Sequence, residues 1–238
     1  MRWCSFCWKR GRLAAIPYVP TERAPRKKPS WYSEKERDRF LAGMFELQPQ
    51  WYLFFYLSAR LGLRVSEVYA ISRSRLRDIP PQLIVDRAVQ RGTKERPALL
   101  ATRKNNEAYV LELTQDILDA IRWLARQGYS GPEFLFSKDG AFPRYIDSYK
   151  RPMVAVQRTR GLRPLSHHVL GRHSVASQAV TNGHSIKAVQ AQLGHRSEQS
   201  THMYAHLGSR AQLRLIEALQ PVAPPHVNVR STSKKKGT

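Results

Sequence analysis

The stretch LGHRSEQSTHMYAHL, residues 193–207, joins a helix end, an imidazole and a phenol within a short span of chain. Just upstream, Ser185 can cap a helix that ends at Gly194, because serine accepts from free N–H groups and glycine tolerates the left-handed conformation that closes helices. His195 therefore follows a helix end directly, and Tyr204 comes nine residues later. This placement favours a chemical role for both side chains.

Cations and imidazoles also stand at the ends of other predicted elements. Arg64 follows a break at Gly62, and Lys104 stands at the tip of a predicted hairpin. A further cluster opens a later helix and consists of His167, His168, Arg172 and His173. Guanidinium groups grip phosphate oxygens and a phenol can act as a covalent nucleophile, so this set is typical of a phosphodiester site. A metal site, which needs carboxylates or paired Cys and His, is not indicated.

Most of the remaining chain predicts helices. Ser33 and Glu36 form a capping box at the start of a helix that runs towards Leu47. The segment 51–57 is apolar nearly all round, which predicts a central buried helix. Another helix is expected from about Ser66.

Between Leu83 and Leu113 the pattern changes to apolar and β-branched residues at short range. The segments ALLAT (98–102) and YVLEL (109–113) flank residues 104–107, whose asparagines tolerate turn dihedrals. We therefore predict that these two segments form a hairpin. The predicted fold class is α+β, mainly helical, with a small antiparallel sheet.

Charge indicates the kind of partner. The 238 residues carry 40 Lys and Arg against 18 Asp and Glu, a formal net charge of +22, which favours a nucleic acid. The longest apolar run falls far short of the roughly 20 residues that span a bilayer, and the N-terminus has no secretory pattern. We expect a cytoplasmic protein, with basic arms over residues 1–30 and 221–238 that are extended or disordered and flank a domain over 31–220.

Cys4 and Cys7 are the two cysteines of the chain. Two thiols without a second pair make only half of a zinc site, so we interpret them as reduced cysteines, with zinc binding or redox chemistry as the alternatives.

Four motifs, in order and spacing, resemble the catalytic domain of the tyrosine recombinases of the phage integrase family. They are RLGLRVSEVYAI (60–71), RKNNEAYVLEL (103–113), LSHHVLGRHSVAS (165–177) and LGHRSEQSTHMYAHL (193–207). The resemblance covers roughly residues 30–215 and implies the fold of the DNA breaking-rejoining enzymes. It also implies a site-specific recombinase, or integrase, of a phage or other mobile element that acts on double-stranded DNA near the nucleoid.

The resemblance implies a role for each matching residue. Tyr204 would attack the scissile phosphate and form a 3′-phosphotyrosyl intermediate. Arg64 and Arg172 would hold the phosphate and offset the charge of the transition state, and His195 would donate to the same phosphate. Glu67 would orient Arg64.

Two further residues would move protons. Lys104 would act as general acid for the leaving 5′-oxygen, with Arg103 and Lys94 as alternatives, and His168 would assist proton transfer near Tyr204. No metal ion or other cofactor is implied, because cationic side chains take that place.

The sequence departs from the family pattern at Gly171. The family has a histidine three residues before its second arginine, whereas His168 stands four residues before Arg172. On an α-helix one extra residue adds about 1.5 Å of rise and a turn of about 100°. His168 would therefore miss the phosphate unless Gly171 bulges, and His167 is the alternative.

A second departure concerns DNA binding. Members of the family usually carry an N-terminal helical domain that clamps DNA, and in its place this chain has the basic residues 1–30. A decayed recombinase that only binds DNA is therefore an alternative. A type IB topoisomerase, which shares the same residue set, is another.

The segment SRAQLRLIEALQ (209–220) has one apolar stripe formed by Leu213, Ile216 and Leu219. In the family a terminal helix often packs on a neighbouring protomer and orders a ring of four subunits on two duplexes. The stripe is compatible with such a homotetramer and equally with folding back on its own domain.

Overall fold

The computed structural model describes residues 2–12, 14–15, 30–92, 98–103, 107–137 and 146–195, with side chains from residue 6 onward. Its α-helices are Arg2–Lys9 (α1), Glu34–Leu47 (α2), Pro49–Leu61 (α3), Val65–Tyr69 (α4), Gln115–Arg126 (α5), Lys150–Thr159 (α6), Ser174–Thr181 (α7) and Ile186–Leu193 (α8). Its strands are Leu76–Asp78 (β1), Pro81–Val85 (β2), Arg87–Gln90 (β3), Leu99–Thr102 (β4) and Tyr109–Glu112 (β5). The predicted α+β class, mainly helical with a small antiparallel sheet, is confirmed.

Helices α2 and α3 form the centre of the hydrophobic core. The predicted capping box at the start of α2 is present, since Ser33 Oγ accepts from the Glu36 amide at 3.3 Å and the Glu36 carboxylate accepts from the Ser33 amide at 2.8 Å. In α3 the side chains of Leu53, Phe54 and Phe55 are fully buried. The prediction of a central buried helix over 51–57 is confirmed.

Gly62 ends α3 and turns the chain towards the candidate site. Its φ of 71° lies in the left-handed region, and a Cβ there would come within 2.5 Å of the Leu193 side chain. Only glycine satisfies both conditions without strain. The chain then enters α4 at Val65, one residue before the Ser66 start that the sequence predicts.

The strands β4 and β5 do not pair with each other, so the predicted hairpin is wrong. β5 pairs antiparallel with β2, and β4 pairs antiparallel with β3. β2 and β3 follow each other directly in the chain, with only Asp86 between them, and their backbone N–H and C=O groups need partners. The returning chain supplies both partners, β4 for β3 and β5 for β2.

The two lysines considered for the general acid fall in different connections of the chain. Lys94 lies between β3 and β4 in the sequence, whereas Lys104 lies between β4 and β5. Both residues are outside the described part of the chain.

The extra residue at Gly171 is absorbed by a π-helical turn. The helix that starts at His167 passes through the π turn Val169–His173 and continues as α7. A π turn accommodates one more residue than an α turn without ending the helix. The turn packs against α3, where a Cβ on Gly171 would lie 3.0 Å from the carbonyl oxygen of Ser58.

The terminal regions are described only in part. Residues Arg2–Lys9 form α1, so the extended conformation predicted for the N-terminal arm is wrong for this stretch. Cys7 is a free cysteine. The apolar stripe over 209–220 and the basic segment 221–238 lie outside the described residues. Within the described ranges, no helix is both long enough and apolar enough to cross a membrane.

Replacing Gly171 with valine should lower the free energy of unfolding by about 1–3 kcal/mol, because the new side chain would be forced against the buried backbone of α3. Urea titrations of the variant and the parent measure this difference. Ala191→Val on the exposed side of α8 is a matched control, since it carries only the lower helix propensity of valine, about 0.5 kcal/mol. A loss at Gly171 no greater than that of the control would contradict the close packing.

Candidate active site

The structure brings together the predicted site residues that it describes. They are Arg64, Glu67, His168, Arg172 and His195, which interact electrostatically around the His195 ring. Arg64 and Glu67 come from the start and middle of α4, His168 and Arg172 from the π turn and the residue before it, and His195 from just after α8, so separate elements converge on one place. Lys104 and Tyr204 lie outside the described residues.

Glu67 is a buried carboxylate shared by two arginines. With 3% of its surface exposed, it accepts from the Arg64 amide at 2.9 Å, from Arg64 Nη1 at 2.8 Å and from Arg103 Nε at 3.1 Å. The Tyr109 hydroxyl donates to the second carboxylate oxygen at 3.4 Å. Glu67 thus holds Arg64 by both its backbone and its side chain.

Arg64 and Arg172 are held in different ways. The Arg64 side chain is 42% exposed, although it is bound to Glu67 on one side. Arg172 is only 2% exposed; its Nη1 donates to the carbonyl oxygen of Gly62 at 3.0 Å and its Nη2 donates to that of Leu193. Arg172 therefore ties the end of α3 to the end of α8.

His195 is the third contact of Arg172. Arg172 Nε donates to His195 Nε2 at 3.2 Å, and because arginine cannot accept a hydrogen bond, the imidazole proton must be on Nδ1. Burial, and then the positive charges of Arg172 and Arg64, lower the pKa of His195 to about 4. The ring is therefore neutral at physiological pH.

His168 lies beside Arg64 on an open cleft with a volume of about 360 Å³, whose wall also includes Ser66 and Arg91. Its ring meets the His173 ring edge to face, with 4.5 Å between the centroids. Burial, and then the charges of His173 and Arg172, lower its pKa to about 4. His168 is thus a neutral imidazole on the same cleft as Arg64.

His167, the alternative to His168, belongs to the aromatic core. It is 2% exposed and its ring packs against Phe54 and Tyr149. The Ser58 hydroxyl donates to the carbonyl of Phe54 at 2.8 Å, so its contact of 2.8 Å with His167 Nε2 must use the imidazole proton. His167 Nδ1 then has no hydrogen-bond partner within the described residues. This environment suits a packing histidine.

Sequence reasoning considered Arg103 only as an alternative acid and missed its position. The side chain is 8% exposed and lies beside Glu67, with its guanidinium carbon 4.3 Å from the centroid of the Tyr109 ring. The signal that could have found it is an arginine at a strand end followed within a few residues by a tyrosine of the next strand. Arg91, on the wall of the cleft, carried no such signal.

Buried neutral histidines make the stability depend on pH. Burial, and then the neighbouring His168, lower the pKa of His167 to about 3, well below the value of about 6.5 in the unfolded chain. As pH falls from about 6.5 towards 3, the unfolded state binds a proton that the folded state rejects, so stability falls. His168 and His195 add to this loss between about 6.5 and 4.

His167→Phe should therefore flatten the acid side of the stability curve. The slope of the unfolding free energy between pH 6 and 4 should decrease by up to about 1.4 kcal/mol per pH unit, because one proton fewer is taken up on unfolding. Urea titrations at a series of pH values measure the slope. Curves for the variant and the parent that stay parallel down to pH 4 would show that His167 is charged in the fold.

Comparison with known proteins identifies the family. The sequence model of the phage integrase family matches residues 33–210. The tyrosine recombinase XerD of Agrobacterium fabrum is 27% identical over 186 residues, which are 75% of this chain and 55% of that protein. XerC of Rhodospirillum centenum is 31% identical over 188 residues, which are 74% of this chain and 49% of that protein. The chain thus spans about half the length of the curated relatives it matches.

Solved structures share the fold at low sequence identity. The Tn1549 transposon integrase, in complex with a circular intermediate DNA, superposes with a TM-score of 0.72 at 17% identity, covering 90% of this chain and 75% of that one. The XerA recombinase gives a TM-score of 0.60 at 19% identity, covering 84% and 68%. The family match takes in the larger part of the chain, and the chain belongs to the phage integrase family.

Proposed function

We propose that this chain is the catalytic part of a site-specific DNA recombinase that cleaves and rejoins strands through a 3′-phosphotyrosyl intermediate. The observation that carries the proposal is that Arg64 and Arg172 converge with the neutral imidazoles of His168 and His195. Arg64 and His168 lie on an open cleft. Such a set of donors fits a phosphodiester.

The two arginines have different tasks in this proposal. Arg172 is fixed by the carbonyl oxygens of Gly62 and Leu193, so its charge needs no rearrangement when the substrate arrives. Arg64 has an exposed guanidinium that can reach the non-bridging oxygens of the scissile phosphate. Positive charge held in advance around the phosphate stabilises the added charge of the pentavalent transition state.

The proton transfers follow from the neutral state of the histidines. The Tyr204 oxygen attacks phosphorus, the bond from phosphorus to the 5′-oxygen breaks, and Lys104 gives a proton to that oxygen. His168, which is neutral, can take the phenol proton, and His195 can donate its Nδ1 proton to a phosphate oxygen. The bond energy is kept in the tyrosyl ester, so the 5′-hydroxyl of another strand can reverse the step.

The π turn supports an active enzyme over a decayed one. Insertion of Gly171 into a regular α-helix would turn His168 about 100° away from Arg172. The π turn takes up the extra residue, and both side chains interact with His195. The reason for expecting a DNA-binding remnant is thereby weakened. The type IB topoisomerase alternative is less favoured, because the curated relatives carry the name tyrosine recombinase.

The substrate that we propose is double-stranded DNA, bound by a homotetramer on paired sites at the nucleoid. The net charge of +22 supports a polyanionic partner. Solved structures of the same fold include a transposon integrase with circular intermediate DNA and the XerH recombinase bound to its difH substrate. The transposon integrase also supports an origin in a mobile element.

Covalent capture tests this function directly. The purified protein is incubated with supercoiled plasmid that carries the DNA flanking its own gene, and detergent-resistant adducts and relaxed plasmid are scored. Parent protein should give both products, and Tyr204→Phe should give neither, because it lacks the nucleophilic oxygen while keeping the ring.

Two other results would change the conclusion. Salt-sensitive DNA binding without adducts for either protein would favour a DNA-binding remnant. Adducts and relaxation without any joining of strands between two duplexes would favour a topoisomerase.

A further inference from the structure

Arg103 lies at the point where the returning strand leaves the sheet. Its amide donates to the carbonyl oxygen of Asp86 at 3.3 Å, just after β4 ends. The next residue in the chain is Lys104, the proposed general acid. The backbone at Arg103 is thus the last described anchor before that lysine.

The Arg103 guanidinium joins three separate segments of the chain. Nε donates to Glu67 Oε1 at 3.1 Å on α4, Nη1 donates to the carbonyl oxygen of Glu107 at 2.5 Å, and Nη2 donates to that of Gly194 at 3.2 Å. Its flat face lies over the Tyr109 ring. Every nitrogen of this guanidinium has a protein acceptor.

Gly194 is shaped for this contact. Its φ of 56° is left-handed, and a Cβ there would lie 2.7 Å from Tyr109 Cε1 and 3.0 Å from Arg103 Nη2. The end of α8 can approach the arginine this closely only because the residue is glycine. His195 follows Gly194 directly.

These contacts argue against Arg103 as the acid itself. Its nitrogens are used by protein acceptors, and a guanidinium does not give up its proton in the physiological range. A buried ion pair is also weak evidence for stability, because desolvation offsets much of the attraction. The three contacts instead lead to three parts of the proposed machinery, namely Glu67 with Arg64, Gly194 with His195, and Glu107, which follows Lys104 by three residues.

We propose that Arg103 is a positioning residue that sets where Lys104 stands relative to the cluster of Arg64 and His195. The inference rests on the proposed function and deepens it. Arg103 anchors described residues on both sides of Lys104 in the chain, since its own amide is bound to Asp86 and its side chain is bound to the carbonyl of Glu107. It also binds the two elements that carry Arg64 and His195. The contacts of Arg103 thus form a joint that ties the chain on either side of Lys104 to the elements of the phosphate site.

A variant that loses the contacts of Arg103 should form adducts slowly, because the proton donor is then displaced from the leaving oxygen. Displacement of a catalytic group by about 1 Å can cost about 10²-fold in rate. Arg103→Met keeps a long side chain over Tyr109 and removes all three hydrogen bonds, so we expect adduct formation to slow by about 10²-fold.

The decisive readout is a change of leaving group. A duplex that carries sulfur in place of the bridging 5′-oxygen, at the cleavage site mapped with parent protein, releases a thiolate that needs no proton. On this substrate Arg103→Met should form adducts at nearly the parental rate, whereas on the ordinary duplex it should be about 10²-fold slower. A residue that merely supports the fold would slow both substrates alike.

Two further variants keep the test interpretable. Arg103→Lys retains a positive charge beside Glu67 but cannot bridge Glu107 and Gly194, so it should show the same dependence on the leaving group with a smaller loss. Arg37→Met is a matched control, because Arg37 is also partly buried and is bonded to Asp38 and Gln178, neither of which is one of the proposed site residues. The control should react at the parental rate on both substrates.

The possible failures can be told apart. Parent protein that forms no adduct on either duplex would overturn the proposed function, and this inference with it. Parent protein that reacts while both Arg103 variants slow equally on the two duplexes, or do not slow at all, would overturn only the role of Arg103. Thermal unfolding of each variant shows whether a loss of rate comes from misfolding. If Arg103→Met is misfolded, the leaving-group dependence of Arg103→Lys decides whether Arg103 has the proposed role.

Discussion

The arrangement of the site depends on one buried carboxylate. Glu67 is almost fully shielded from water, and a charge in that position requires partners, which Arg64 and Arg103 supply at 2.8 and 3.1 Å. Removing both partners would leave the Glu67 charge unpaired in a place of low dielectric, which is far more costly than losing a surface pair. Glu67 binds the start of α4 through Arg64, and through Arg103 it is linked to the sheet and to Gly194 at the end of α8.

The second constraint is the meeting of α3 and the π turn. Gly62 and Gly171 both allow close packing at this meeting, because a Cβ on Gly62 would clash with the Leu193 side chain and a Cβ on Gly171 would press on the backbone of Ser58. Arg172 then closes the gap by donating to the carbonyl oxygens at the ends of α3 and α8. An extra residue at this point could have moved a whole helix. A change confined to one turn is less disruptive, because the packing of α3 and α7 on either side is kept.

Features encoded by neighbouring residues could be predicted from the sequence. The capping box at Ser33, the break at Gly62 and the buried helix over 51–57 each depend on local backbone chemistry and periodicity. The partners of β4 and β5 could not be predicted in this way. The same apolar alternation fits a hairpin between these two strands and also the observed pairing of β4 with β3 and of β5 with β2. The choice is made by distant backbone groups that need partners.

The site residues were predictable as a set, but their surroundings were not. His167 and His168 are neighbours in sequence, and only the course of the helix into the π turn sends one ring into the aromatic core and the other to the cleft. Arg103 looked like one more basic residue near a turn, because its burial depends on Glu67, Tyr109 and Gly194 from other parts of the chain. The sequence shows which side chains are present, whereas the burial of each side chain depends on elements that are distant in sequence and meet only in the folded chain.

The charge balance of the cluster favours the binding of an anion. Arg64 and Arg103 bind the carboxylate of Glu67, and Arg172 binds the neighbouring His195, so the described part of the cluster has more guanidinium groups than carboxylates and carries an excess of positive charge. That excess, together with burial, keeps His168 and His195 neutral. A phosphodiester entering the cleft would offset the excess and raise the pKa of both imidazoles, since a nearby negative charge favours the protonated ring. In the proposed reaction, substrate binding would thereby make His168 a better acceptor for the phenol proton of Tyr204.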